Sequence, residues 1–382
     1  MESKKILHII TVSFVINHFF GNQFNYLKKR TGNRYFLGCS PSDDFLQKSV
    51  QLGYEPFPVV VTRSISPFTD LKAIFRIYKF IKKNNIDVVV GHTPKGGMVS
   101  MIAAFFAGVE SRIYFRHGII YETSSGLTRL LLKTIDRLSG NLATKVVCVS
   151  NSVKSISERD CLNRAEKNII LGLGTCNGID TEYKYNPLLQ NGEEVNRLLG
   201  TLNIMADDLV IGYVGRIVRD KGINELIAAW KILKENYSNI KLLLVGPIEE
   251  RDAISADSLA LIKHDPTVII AGAVAATSPY FSVMDIFVLP TYREGFPTVA
   301  LEASSMKLPV VITRATGCEE SVRDGETGLF TSNAAEDIAD KVGIYLQNET
   351  LRLQHGENGR VFVRKNFEES IIWDRIHQQL GY

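Results

Sequence analysis

The stretch Asp285-Ile286-Phe287-Val288-Leu289-Pro290-Thr291-Tyr292-Arg293-Glu294-Gly295-Phe296-Pro297-Thr298-Val299-Ala300-Leu301-Glu302 decides how this chain is read. Its apolar run, Ile286 to Leu289, predicts a strand buried on both faces, as in a parallel sheet. A short polar loop follows, and Pro297 fits the first turn of a helix, where its missing N–H costs nothing. Glu294 is thereby placed at the carboxyl end of a strand, where open α/β sheets bind ligands. Glu302 falls about 7.5 Å along the helix axis. Two carboxylates so placed can meet the two ends of an elongated ligand. The free N–H groups of the helix start, lying between them, suit a phosphate. A spaced pair of glutamates alone is more often a solvated helix face, so the reading needs support from elsewhere in the chain.

Working outward, apolar runs alternate with amphipathic segments over the whole length. In the first half the expected strands are Lys5–Val12, Tyr35–Gly38, Val59–Val61, Asp87–Gly91, Arg112–Arg116 and Lys145–Ser150, with helical patterns at Leu71–Lys83 and Met98–Ala107. The second half repeats the rhythm at Leu209–Val214, Lys241–Gly246, Val268–Ala271, Ile286–Leu289 and Pro309–Thr313. This βαβα order predicts parallel sheets covered by helices on both faces. The polar, glycine-containing Asn177-Gly178-Ile179-Asp180 is the expected join.

Three segments together resemble one family. Glu294 and Glu302, with seven residues between them, resemble the signature of the retaining family 4 glycosyltransferases of GT-B fold. Gly212-Tyr213-Val214-Gly215-Arg216, with Asp220-Lys221-Gly222 behind it, is similar to the family's donor-phosphate segment. Thr316-Gly317-Cys318-Glu319-Glu320 with Asp324-Gly325-Glu326-Thr327-Gly328-Leu329 resembles its closing stretch. The likeness is strong from about residue 208 to 332 and looser before it. It implies an α/β chain of two Rossmann-like, doubly wound domains facing a central cleft. Residues 1–178 would form the acceptor-side domain and 179–365 the nucleotide-sugar domain. The terminal helix, 366–382, crosses back to the first domain in that family; from the sequence alone, packing on its own domain is equally open.

The resemblance also implies roles. Glu294 would bind hydroxyls of the donor sugar and Glu302 the ribose diol, with Gly295, Phe296, Pro297 and Thr298 supplying backbone along the sugar and diphosphate. Arg216 and Lys221, beside Gly215, would neutralise the diphosphate. Charge accumulates there as the sugar–oxygen bond breaks, so fixed cations favour the transition state over the ground state. Without the downstream motif, both would read as solvated surface cations. His117, after the Arg112–Phe115 strand, is the candidate facing the donor sugar from the first domain; a lone histidine there is as readily structural. Gly21, in the first βα turn, is a further donor-side candidate. Lys95 and Arg116 are acceptor-side candidates, although Arg116 could equally pair with an acid.

Several motifs are near misses. Gly91 and Gly96 have the P-loop spacing, but Gly97 stands where lysine belongs, so nucleotide hydrolysis is rejected. Gly172-Leu173-Gly174 lacks the third glycine of a dinucleotide fingerprint and lies at the domain join. No Asp-x-Asp occurs in the sequence, so neither metal nor other cofactor is expected; cations and helix starts would serve the diphosphate instead.

Composition bounds the rest. The 382 residues suffice for two or three domains, and five cysteines lack metal-ligand spacing, which fits a reducing compartment. No apolar run reaches the length of a membrane span, and the first strand does not read as a signal peptide, so a cytoplasmic protein is expected. Residues 1–178 carry 24 Lys and Arg against 12 Asp and Glu, whereas the remainder carries 20 against 29. A basic first half predicts an anionic partner, with a membrane surface favoured over nucleic acid, for which no recognition module appears. Candidate contacts are Lys28, Lys29, Arg30, Arg76, Lys79, Lys82 and Lys83, with Phe75 and Phe80 either dipping in or packing as core residues of their helix. The expected reaction is retaining transfer of a sugar, UDP-linked by expectation, to a saccharide or lipid-linked saccharide acceptor at the inner face of the cell membrane. A nucleotide-sugar 2-epimerase of similar architecture and a non-catalytic nucleotide-sugar-binding module are the alternatives.

Overall fold

A computed structural model describes residues 3–62 and 66–382. The chain divides into two units, one of Met1–Gly178 with Glu369–Tyr382 and one of Ile179–Glu368. The first holds strands β1 (Lys5–Ile9), β2 (Arg34–Cys39), β3 (Glu55–Pro58), β4 (Val88–His92), β5 (Ser111–Arg116), β6 (Lys145–Cys148) and β7 (Asn168–Ile169). They pair in parallel in the order β3-β2-β1-β4-β5-β6-β7. The second holds β8 (Leu209–Val214), β9 (Ile240–Val245), β10 (Val268–Gly272), β11 (Ile286–Leu289), β12 (Val310–Thr313) and β13 (Gly328–Thr331), in the order β10-β9-β8-β11-β12-β13. In each sheet the order reverses beside its first strand, between β1 and β4 and between β8 and β11. Such a switch point opens a crevice at the strands' carboxyl ends.

The strands form where apolar and β-branched residues run without a polar break. Val88, Val89 and Val90 of β4, and all four residues of β11, are buried, as sheets covered on both faces require. Helices start on side-chain caps: Ser42 accepts from the Phe45 N–H, Ser150 from Val153 and Asn348 from Leu351.

Two strand expectations differ from the structure. Val59–Val61 lies outside the sheet; its place is taken by β3 at Glu55–Pro58, with prolines at two of its four positions. β3 is the edge strand, where a residue without an N–H loses no ladder bond. β13, at the opposite edge of the second sheet, was hidden in the glycine-rich closing motif. The final helix, Glu369–Leu380, belongs to the first unit and lies against its helix Gln23–Thr31: Tyr26 donates to Asp374 at 2.9 Å, Arg30 pairs with the same carboxylate at 2.8 Å, and Trp373 donates to Asn177.

Candidate functional site

In the second unit, the segments after β8 and β11 meet at the sheet's switch point. Gly222, at φ +72°, touches Pro290 so closely that a Cβ would stand 1.9 Å from its carbonyl oxygen. This contact admits only glycine and brings Lys221 beside the loop that follows β11. Lys221 Nζ lies 2.5 Å from Glu294 Oε1, and both side chains are largely shielded from solvent. The loop is held from both sides: the Tyr292 N–H donates to the Asp220 carbonyl, and the Glu294 N–H to the Thr316 carbonyl at 2.8 Å. Arg293 also pairs with Asp220 at 3.3 Å. Gly317, at φ +86°, sits where a Cβ would be 2.5 Å from the carbonyl oxygens of Glu294 and Gly295. All three sequence motifs therefore converge on Glu294.

Arg216 follows a different course. Its guanidinium is half exposed and pairs with Glu249 at 3.1 Å, while its carbonyl accepts from the Tyr213 hydroxyl at 2.7 Å. Gly215 lies before it at φ +153°.

Beyond the loop, Pro297 is the cap of helix Thr298–Ser305 and stands one residue before the first turn expected for it. The Thr298 N–H bonds back to the Phe296 carbonyl, and the Phe296 ring packs 5.5 Å from Phe367. Glu302 is the helix's fifth residue. Burial raises its pKa, against the opposing influence of Lys184 and a hydrogen bond from Tyr185. Tyr185 in turn is buried and reaches Thr277 at 3.1 Å. Glu302 is thus a half-buried carboxylate with a phenol beside it, a partner that the sequence pattern did not reveal.

In the first unit, three histidines form a hydrogen-bonded row across the switch point. His8 of β1 and His92 at the end of β4 are buried; His8 Nδ1 lies 3.0 Å from His92 Nε2. His92 Nδ1 lies 3.1 Å from Nε2 of His117, just past β5. The parallel register sets Phe115 opposite His92, so His117, two residues on, returns to the same face. Phe19 stacks on His117 with 4.1 Å between ring centres. Burial lowers the pKa of His8 and of His117 to about 3, and lowers that of His92 as well, so all three rings are neutral at ordinary pH. The sequence marks His117 as a site candidate and His92 only as the start of a loop read as acceptor-side or phosphate-side, while His8 carries no such mark. The available signal was a histidine inside an otherwise apolar strand, at both β1 and β4.

Two first-domain candidates stand elsewhere than expected. Arg116 is fully buried: Nε pairs with Asp136 at 3.0 Å, and Nη1 reaches Ser157 and Asn163. It ties β5 to two helices and cannot meet an acceptor. Lys95 points inward to a buried ion pair with Asp70, so its charge is spent within the fold. The glycines around it are packing positions: a Cβ on Gly97 would lie 2.4 Å from the Tyr114 ring. That loop is sharply bent by Thr93 at φ +64°, a conformation that a β-branched residue adopts only under constraint. Gly21, at φ +47°, turns the chain between helices Ile16–Phe19 and Gln23–Thr31; a Cβ there would stand 3.2 Å from Asn177 Nδ2, its nearest neighbour. Of the expected membrane-facing aromatics, Phe75 is exposed, whereas Phe80 stacks on Phe57 at 4.0 Å and faces the core.

Known proteins resemble this chain in sequence and fold. Residues 198–362 match the family described as glycosyl transferases group 1, and residues 24–182 that described as glycosyltransferase family 4. The chain is 33% identical to the capsular polysaccharide biosynthesis glycosyltransferase CapM of Staphylococcus aureus, over 98% of this chain and 96% of that protein. It is 27% identical to the N,N'-diacetylbacillosaminyl-diphospho-undecaprenol alpha-1,3-N-acetylgalactosaminyltransferase of Campylobacter jejuni, with 88% of each chain covered. Among solved structures, HepE of Anabaena in complex with UDP and glucose superposes with a TM-score of 0.81 at 18% identity, covering 99% of both chains. That likeness is one of fold.

Proposed function

The chain belongs to the family 4, group 1 glycosyltransferases of GT-B fold, and from that premise we propose that it moves a sugar from a UDP-linked donor to a lipid-linked saccharide during assembly of a capsular or other surface polysaccharide. The observation that carries the reading is the Lys221–Glu294 pair at the β8/β11 switch point, where a cation and a carboxylate stand side by side. A diphosphate entering there competes for Lys221 and frees Glu294 to accept from sugar hydroxyls. Lys221 then faces the charge that grows on the leaving diphosphate, which is where a fixed cation lowers the barrier most. Arg216, on an exposed surface, adds a second cation when it leaves Glu249. Glu302, half-buried beside Tyr185, accepts from the ribose diol.

No side chain of the Glu294 loop is arranged as a nucleophile activated by a base, in keeping with retention through same-face attack, the leaving phosphate taking the acceptor proton. Metal is not required in this scheme, because Lys221, Arg216 and the start of helix Thr298–Ser305 supply the positive potential. The lipid-linked acceptor is supported by the undecaprenol-linked substrate in the name of the Campylobacter relative. It is also supported by helix Pro67–Asn84, which exposes Phe68, Leu71 and Phe75 among Lys72, Arg76 and Lys79. Helix Gly126–Leu142 exposes Leu127 and Leu130 near Arg129 and Lys133 in the same manner, a pattern suited to an anionic lipid surface. No helix among the described residues is long and apolar enough to cross a membrane.

The test is release of UDP from UDP-sugars by the full-length chain, with and without undecaprenyl-diphosphate-linked saccharides and with and without a chelator. Acceptor-dependent UDP release that survives chelation supports the proposal. Release that yields an isomerised free sugar without acceptor points to an epimerase, and binding without release to a non-catalytic module.

A further inference from the structure

The His8–His92–His117 row has a property that none of its members has alone. A neutral imidazole carries one N–H and one lone pair, so each ring can donate once and accept once. His92 uses both nitrogens inside the row, Nε2 toward His8 and Nδ1 toward His117. Both hydrogen bonds exist together only when all three N–H bonds point the same way along it. Two arrangements satisfy this. In one, His8 Nδ1 donates to His92 and His92 Nδ1 donates to His117 Nε2, which leaves His117 with its proton on Nδ1. In the other the directions reverse, His117 donates through Nε2, and His8 carries its proton on Nε2.

The buried end decides between them. His8 Nε2 has no hydrogen-bond partner among the described residues and is shut in by Phe20, Phe24 and Tyr382, with ring centres 5.3, 5.0 and 5.8 Å away. A buried N–H without a partner is costlier and rarer than a lone pair without one. The row therefore orders with its protons pointing away from the core.

We propose that His8 and His92 are positioning residues that hold His117 as the neutral Nδ1–H tautomer, so that its outer nitrogen is a fixed donor to an oxygen of the bound sugar. The role of His117 against the sugar rests on the glycosyltransferase reading; the tautomer does not. Burial keeps the row uncharged, so the ordering persists over the pH range in which the rings stay neutral. Phe19, stacked on His117, fixes the ring plane, and the row fixes which nitrogen carries the hydrogen.

The test begins with the unmodified full-length chain, labelled with ¹⁵N at histidine and followed by long-range ¹H–¹⁵N correlation at pH 7.5 without any ligand. The expected result is three neutral rings, each with Nδ1 protonated and Nε2 of the pyridine type. His117 protonated on Nε2 overturns the proposal without recourse to any variant. His92→Phe, which keeps a ring but removes both nitrogens, is then expected to return His117 to the Nε2–H form usual in water. In a sugar-transfer assay the same variant should lower kcat about tenfold, the loss of one oriented hydrogen bond, with a smaller effect on the donor's KM. His8→Phe should shift the tautomer in the same direction. An unchanged His117 tautomer in His92→Phe, or an unchanged kcat in a variant whose tautomer has switched, removes the positioning role. Absence of transfer by the wild-type chain with a correct tautomer counts instead against the glycosyltransferase reading.

Discussion

Lys221 and Glu294, 73 positions apart in sequence, form an ion pair of 2.5 Å at the point where the strand order of the second sheet reverses. Each holds the other's charge in a largely shielded place. On the proposed reading, a diphosphate replaces an existing partner of Lys221 rather than meeting a bare cation.

Lys221→Ala is expected to lower kcat about a hundredfold, with a smaller change in the donor's KM, because the cation meets charge that develops as the bond breaks. It also leaves the Glu294 carboxylate without its partner, at a stability cost of about 2 kcal/mol. Arg216→Ala should cost less in both respects, since its guanidinium is half exposed and pairs with Glu249 at the surface. Steady-state kinetics with varied donor and urea unfolding check the two separately. A raised KM at constant kcat would make both residues uniform binders.

Glu294→Gln should abolish most transfer while leaving the melting temperature within a few degrees. The amide keeps the shape and can still accept from Lys221, but it is a weaker acceptor for sugar hydroxyls than a carboxylate. Near-normal turnover in this variant would assign Glu294 to the structure of the loop.

Arg116→Met is expected to act in the opposite way, costing about 3–5 kcal/mol because Asp136 is left buried and uncompensated. Protein that still folds should show a donor KM and kcat close to those of the wild type. A specific loss of acceptor saturation in soluble, folded variant would return Arg116 to the acceptor side.

Acid should unfold the chain through its histidine row. His8 and His117 titrate near 3 when folded and near 6.5 when unfolded, and the pKa of His92 is lowered in the same sense. Below 6.5 the unfolded chain binds protons that the folded chain refuses, so stability falls as pH drops from about 6.5 toward 3. With three rings the slope approaches about 4 kcal/mol per pH unit. Urea melts between pH 4.5 and 7.5, compared with those of His8→Phe, should show a shallower dependence in the variant. Identical slopes would mean that His8 is not a buried neutral group.

Phe68→Ser with Phe75→Ser should weaken co-sedimentation with vesicles containing anionic lipid while leaving melting unchanged, since both rings are exposed. Replacing Arg76 and Lys79 should remove about 1 kcal/mol each at low ionic strength and nothing at high salt. Equal indifference of the wild-type chain to anionic and neutral vesicles would remove the lipid surface from the proposal.

The sequence by itself determined the sheet-forming rhythm of both halves and the three motifs that meet at Glu294. Such features are written locally: apolar runs mark buried parallel strands, and glycines mark places where the chain must turn or touch. The edge strands were less legible, because β3 buries one residue of four and carries two prolines, while β13 is only four residues long and begins on a glycine. What no local pattern could carry was pairing. Nothing near Arg116 in sequence marks Asp136, Ser157 and Asn163 as its partners, so a cation held inside the fold resembled one available to a ligand. Lys95 is the same case with Asp70. Likewise His8, His92 and His117 are ordinary histidines until parallel pairing of β1, β4 and β5 sets their rings in one row. A side chain's charge and hydrogen-bonding groups are fixed by its identity, but whether they face a ligand or a partner depends on which strands become neighbours, and tertiary structure alone decided that.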